Sequence, residues 1–235
     1  MPRDFIMSDP IATDRIHVAI VEFGLGNLFS VKAACEYAGM SAEVSADSAT
    51  LARADAVILP GVGAFGDAMA ELRRRDLVAP LRDLAAQEKP LIGICLGLQL
   101  FMSESHEFGQ TEGLNLIAGD VVRFDKPKDA SRELKVPQVG WNRVHRPDGN
   151  SARWDNTPLA GQIDGVYQYF VHSFYARPAD STVVCATTTY GDVTYCSSLQ
   201  RRNIFACQFH PERSGKDGLA IYAEMKNWIA GHRKI

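Results

Sequence analysis

The sequence predicts an α/β fold whose first half is a doubly wound, mostly parallel sheet and whose second half extends it with antiparallel strands. Three observations carry this. Apolar-rich runs at residues 16–23 (IHVAIVEF) and 54–59 (ADAVIL) read as strands, and the short, fully apolar run at 91–94 (LIGI) reads as a buried parallel one. Stretches of helical spacing lie between them, which is the alternation that builds a parallel sheet. After residue 166 closely spaced strand runs divided by turn residues replace that alternation, as in antiparallel hairpins.

Taken in order, residues 1–15 (MPRDFIMSDPIATDR) read as a loose tail before one domain covering 16–235. The tail has no apolar signal-peptide core, and no later stretch approaches the ~20 apolar residues of a membrane span. Strand 16–23 turns at Gly24-Leu25-Gly26-Asn27 into a helix whose apolar stripe is Leu28, Val31, Cys35 and Ala38, ending at Gly39. The two turn glycines resemble the start of a dinucleotide fingerprint, but its third glycine position is Phe29, so a tight turn is the better reading. Residues 41–45 form a second strand, and 54–59 a third that runs into Pro60-Gly61-Val62-Gly63. Two glycines around one β-branched residue let backbone N–H groups turn outward, as an oxyanion site requires. Phe65, Met69, Leu72 and Leu77 mark a helix, 81–84 another, 91–94 the fourth strand and 96–102 a helix. Residues 103–113 read as a polar loop, 121–124 as a strand, 125–135 as a charged, solvated loop, and 136–144 as a strand carrying Trp141. Strand runs at 166–174, 181–190, 193–199 and 203–210 turn at 190–192 and 201–203. A final helix over 217–230 places Leu219, Tyr222, Met225 and Ile229 on one face.

With 25 Lys and Arg against 28 Asp and Glu, the net charge is −3 and the signs are mixed. No basic stripe exists to hold nucleic acid or a membrane surface. Five cysteines, an odd number without a CxxC pair, suit a reducing compartment, so the expected location is the cytoplasm. His106, His145 and His172 have no ligand-like spacing, and neither a metal nor another cofactor is expected.

The chemistry gathers at residues 90–99 (PLIGICLGLQ). Cys95 falls between strand and helix with Gly93 and Gly97 two residues away on each side, which removes the Cβ atoms that would clash in a nucleophile elbow. At a helix N-terminus the dipole and unpaired backbone N–H groups favour its thiolate. Strand 203–209 ends at His210-Pro211-Glu212, where a spacing of two lets the carboxylate reach the imidazole. A thiolate, a proton carrier and a group that fixes the carrier's tautomer are the parts of nucleophilic acyl transfer.

GICLGLQ, HPERSG and PGVGAFGDAM together resemble the class I (triad) glutamine amidotransferases, whose fold is flavodoxin-like. The form of PGVGAFGDAM, with VAIVEFGLGNL, KVPQVGWN and YQYFVHSF, is similar to the glutaminase subunits of imidazole glycerol phosphate synthases. The resemblance covers residues 16–235. It implies that Cys95 is the nucleophile, His210 the base and acid and Glu212 its orienting group, with Val62 and Leu96 N–H groups as the oxyanion hole. It further implies that Gly61, Gly63, Gln99, Glu107, His172 and Ser173 bind glutamine. Ammonia would pass to a (β/α)₈ barrel cyclase in a heterodimer, with Trp141, Tyr169 and Arg213 at the interface. The product would be imidazole glycerol phosphate with an aminoimidazole carboxamide ribotide, in histidine biosynthesis. Glu22-Phe23, Gln138, Phe174 and Arg213 depart from the usual Asp-Tyr, His, Tyr and Lys. Competing readings are a glutaminase paralogue serving a different synthase, a free-standing cysteine hydrolase, and a catalytically dead binding module.

Overall fold

The computed structural model describes residues 15–147 and 151–233. All but Arg15 of the expected tail lies outside them. The strands and helices run in the order β1 (His17–Val21), α1 (Leu28–Tyr37), β2 (Ser41–Ser45), α2 (Ser48–Arg53), β3 (Ala56–Gly61), α3 (Phe65–Arg74), α4 (Val78–Ala86), β4 (Leu91–Cys95) and α5 (Leu96–Leu100). Short strands β5 (Met102–Ser105) and β6 (Thr111–Glu112) follow, then β7 (Ile117–Arg123), β8 (Lys128–Asp129), β9 (Arg132–Glu133) and β10 (Gln138–Val144). The chain closes with β11 (Val166–His172), β12 (Phe174–Pro178), β13 (Val184–Tyr190), β14 (Val193–Arg201), β15 (Ile204–Cys207) and α6 (Gly215–His232).

The main sheet has seven strands in the order β13-β14-β15-β4-β3-β1-β2. Its five parallel strands, read from the β2 edge as β2-β1-β3-β4-β15, have the flavodoxin-like order, and β14 and β13 extend it antiparallel. Apolar side chains alternate between two cores. Val18, Ile20, Ile92, Ile94, Phe205 and Cys207 join one, with Val31 and Cys35 of α1 and Ile221, Tyr222 and Met225 of α6. Ala19, Val21, Leu91, Ile204 and Ala206 join the other, with Met69 and Leu72 of α3 and Leu81 and Leu84 of α4. Burial on both faces is why these strands read as unbroken apolar runs.

The second half does not all extend the same sheet. Only β13, β14 and β15 do; β10 and β11 pair as a separate ribbon, and β12, β7, β5 and β6 form a four-stranded sheet. The division falls at Ser173, where the chain leaves β11 after His172, which pairs with Gln138, and enters β12 at Phe174, which pairs with Arg123. The expected polar loop at 103–113 holds most of β5, with Ser103 and Glu104 partly exposed, and all of β6, and the charged loop at 125–135 holds the β8–β9 hairpin. The helix after Cys95 stops at Leu100 because the chain enters β5 at Met102. Helix α2 was not expected: six residues are too few for a periodic signal, although Asp47 caps it by accepting from Thr50 N at 2.9 Å. No helix among the described residues is long and apolar enough to cross a membrane.

Candidate active site

Three parallel strands deliver the site at their carboxyl ends. Gly61 at the end of β3 pairs with Cys95 at the end of β4, and β15, on the other side of β4, leads through Gln208 to His210. Cys95 has φ 55° and ψ −106°, a strained backbone that a non-glycine residue holds only when its surroundings impose it. Packing imposes it here. A Cβ on Gly97 would lie 1.8 Å from the Leu59 carbonyl oxygen, and one on Gly93 would lie 2.9 Å from the Gly97 carbonyl. The two glycines therefore let α5 start directly against β3 and β4.

His210 and Glu212 meet as expected. Nδ1 of His210 donates to Glu212 Oε1 at 2.8 Å, and both side chains are almost wholly buried. Burial disfavours the charged imidazole. The Cys95 sulfur and the Glu212 carboxylate outweigh that by charge and hydrogen bonding and raise His210 to about 10. The imidazole thus holds its proton at neutral pH, beside the sulfur.

A cavity of about 400 Å³ opens in front of Cys95, within the range of small-molecule sites. Val62, Gly63, Leu96, Gln99, Glu107, His172, Ser173, Phe174 and Arg213 border it. Gly61 does not border it; a Cβ there would press on Leu96 at 3.0 Å, so this glycine is required for packing under the elbow. Glu107 Oε2 accepts from Phe65 N at 2.6 Å and so caps α3, which has no cap of its own.

The ring of His172 is committed to the core. Its Nδ1 donates to the Phe174 carbonyl at 2.8 Å, and its Nε2 lies 3.2 Å from the Tyr195 hydroxyl. Burial, against the bond to Phe174 and with the added charge of His210, holds this imidazole down at about 4. It is neutral with its proton on Nδ1, and Nε2 lies against the Tyr195 hydroxyl, so both ring nitrogens are occupied within the core.

Trp141, Tyr169 and Arg213 form one cluster. Trp141 and Tyr169 pair across the β10–β11 ribbon with rings 6.2 Å apart, edge to face, and the Arg213 guanidinium lies 4.5 Å from the Tyr169 ring centre. Trp141 is 55% exposed and Val139 60%, so the ribbon presents an apolar outer face beside the cavity.

Gln208 was not singled out from the sequence. Its amide donates to Cys95 Sγ at 3.5 Å, and it is fully buried. A glutamine at the end of an apolar strand-like run, two positions before His210, was the available signal.

All five cysteines are free and buried, but only Cys95 borders the cavity. Burial pushes Cys35 and Cys196 up to about 12 and Cys185 to about 11, and it holds Cys207 well above the ordinary thiol value. A glutamine-mimicking electrophile at pH 7 is expected to label Cys95 selectively, as read by peptide mass spectrometry. Label spread evenly over the five, or absent from Cys95, would remove it as the nucleophile.

The family model for class-I glutamine amidotransferases matches residues 20–225. The imidazole glycerol phosphate synthase subunit HisH of Rhodopirellula baltica is 46% identical over 204 residues, which is 87% of this chain and 94% of that one. HisH of Geobacter sulfurreducens is 42% identical over 89% of this chain and 99% of its own length. Among solved structures, PurLQS from Thermotoga maritima superposes with a TM-score of 0.68 at 17% identity, covering 91% of this chain and 99% of that one. The glutaminase domain of Trypanosoma brucei CTPS, with bound acivicin, gives 0.65 at 15% identity over 94% and 96%. At such identities the two structures show the fold alone.

Proposed function

The chain belongs to the class-I glutamine amidotransferases and, within them, to the HisH subunits of imidazole glycerol phosphate synthase, and from that premise we propose how its residues carry out glutamine hydrolysis. Cys95, His210 and Glu212 are the triad. The observation that carries this is the buried His210–Glu212 bond of 2.8 Å, with a protonated imidazole beside the sulfur of an elbow cysteine.

Cys95 Sγ, as thiolate, attacks the side-chain amide carbon of glutamine, and negative charge develops on the amide oxygen. The backbone N–H groups of Val62 and Leu96, both on the cavity wall, receive it. His210 gives its Nε2 proton to the departing nitrogen, so ammonia leaves and a glutamyl thioester remains. His210 then takes a proton from water as the water oxygen attacks the thioester, the thiolate is expelled, and glutamate departs. Glu212 holds Nδ1–H throughout, which keeps Nε2 directed at the reacting atoms. Gln99 helps to orient the substrate: both its amide hydrogens are engaged, by Phe174 O at 2.9 Å and Gln208 Oε1 at 3.0 Å, which turns its own oxygen to the cavity.

The ammonia is passed to a cyclase subunit of barrel form, which incorporates it into imidazole glycerol phosphate. The β10–β11 ribbon with Trp141, Tyr169 and Arg213 is the docking face, because a large exposed aromatic surface next to an active site calls for a covering partner. A free-standing hydrolase would have no use for it.

Docking is expected to raise glutaminase turnover. Gly63 has φ +109°, and a peptide between Gly61 and Gly63 can turn at low cost, so the Val62 donor can be directed away from the oxyanion until a partner favours the productive state. One missing donor costs about 10²- to 10³-fold. The measurement is glutamate release by the chain alone, with the cyclase subunit, and with that subunit plus its nucleotide substrate. Equal turnover in all three overturns the gating and favours the free-standing hydrolase; incorporation of glutamine nitrogen into the cyclase product supports the assignment as a whole.

A further inference from the structure

Helix α5 has only five residues, so the peptide dipoles aligned behind Cys95 are few and the thiolate depends more on individual donors around the sulfur. His210 is one. We propose that the Gln208 side-chain amide is another, a catalytic group that donates to the Cys95 thiolate and is held in its donating orientation by Gln99.

The orientation follows from an acceptor that cannot be reversed. The Phe174 carbonyl oxygen can only accept, so the Gln99 amide must present nitrogen to it, at 2.9 Å. The second hydrogen of that nitrogen meets Gln208 at 3.0 Å, which makes the Gln208 atom there the oxygen. Its nitrogen then faces Cys95 Sγ at 3.5 Å. The Phe174 oxygen also accepts from the neutral His172 ring at 2.8 Å, so the chain of bonds begins on a well-fixed atom. Gln208 and Gln99 are both buried, and little water competes for any link.

Among the described residues the sulfur also meets the Val171 carbonyl oxygen, at 4.0 Å. A thiol S–H can donate to that oxygen, whereas a thiolate cannot and is repelled by it. The Gln208 N–H acts in the opposite sense. It favours the thiolate over the thiol, both before attack and when the thiolate is expelled from the thioester. A donor also reduces the intrinsic nucleophilicity of the sulfur, but that loss is partial, with a Brønsted coefficient of about 0.4–0.5.

The inference rests on the reading of Cys95 as the glutaminase nucleophile, and the experiment separates the two. Iodoacetamide alkylation of Cys95 is followed against pH in the complex with the cyclase subunit, for the natural chain, Gln208→Glu and Gln208→Met. Gln208→Glu keeps an oxygen for the Gln99 N–H but loses the amide donor; Gln208→Met keeps the volume and loses both. Each is expected to move the alkylation midpoint to higher pH and to slow labelling at pH 7 by about tenfold, with kcat for glutamine falling alongside. In the natural chain the Gln208 side-chain amide resonance is expected to titrate with the same midpoint as the alkylation, a readout that needs no variant to fold. An amide resonance indifferent to Cys95 titration, or variants whose alkylation midpoints stay at the natural value, overturns the role of Gln208. Glutaminase activity surviving in Cys95→Ala would instead overturn the underlying reading.

Discussion

Cys95→Ala is expected to abolish glutamine hydrolysis, with a loss of about 10⁶-fold in turnover, because it removes the atom that forms the thioester and leaves only substrate binding and the oxyanion donors. The fold is expected to remain, since alanine needs no more room than cysteine at the elbow and the packing that imposes φ 55° comes from Gly93 and Gly97. The variant also separates the two half-reactions. In complex with the cyclase subunit, supplied with ammonium salt in place of glutamine, cyclase turnover is expected to persist. Ammonia released from glutamine by the variant at anything near the natural rate would place the nucleophile elsewhere, and loss of the ammonium-dependent reaction would point to a damaged interface instead.

The parts of this site legible in the sequence were those encoded by neighbours along the chain. Strands made almost wholly of apolar residues are buried on both faces, which made β1, β3 and β4 readable, and Gly93 and Gly97 marked the elbow between β4 and α5. His210 and Glu212 were readable because they lie two positions apart, although the structure joins them, at 2.8 Å, across a short 3-10 turn over Pro211–Arg213 and not along an extended segment. Interactions between distant segments were not readable in the same way. Gln208 and Cys95 are 113 positions apart, and Gln99 and Phe174 are 75 apart, so no local pattern reports either bond. The same holds for His172, whose ring is drawn into the core by Tyr195 from another strand. Strands β5 and β6 failed to register because a sheet with one solvated face tolerates sequences such as MSES, whose polarity resembles that of a loop.

Glu212→Gln is expected to lower glutaminase turnover by about 10⁴-fold, less than loss of the nucleophile, with the enzyme still folded. Glutamine can still accept from His210 Nδ1, but it brings no charge, so the imidazolium loses one of the two groups that sustain it. Burial, which opposes the charge, is unchanged. His210 therefore titrates at lower pH in the variant than the value of about 10 in the natural site, and the proton needed by the departing nitrogen is held less firmly. The stability effect has a definite sign. The folded value lies above the ~6.5 of a free histidine, so the His210 contribution is complete below that pH and disappears as pH rises through about 10. The natural chain should exceed the variant in thermal stability most clearly at pH 6, and the difference should narrow on the alkaline side. Melting curves from pH 6 to 10, recorded beside the kinetics, test both statements. A variant that is unfolded throughout would make Glu212 chiefly a structural group, and one that turns over at the natural rate would show that His210 is aligned without it.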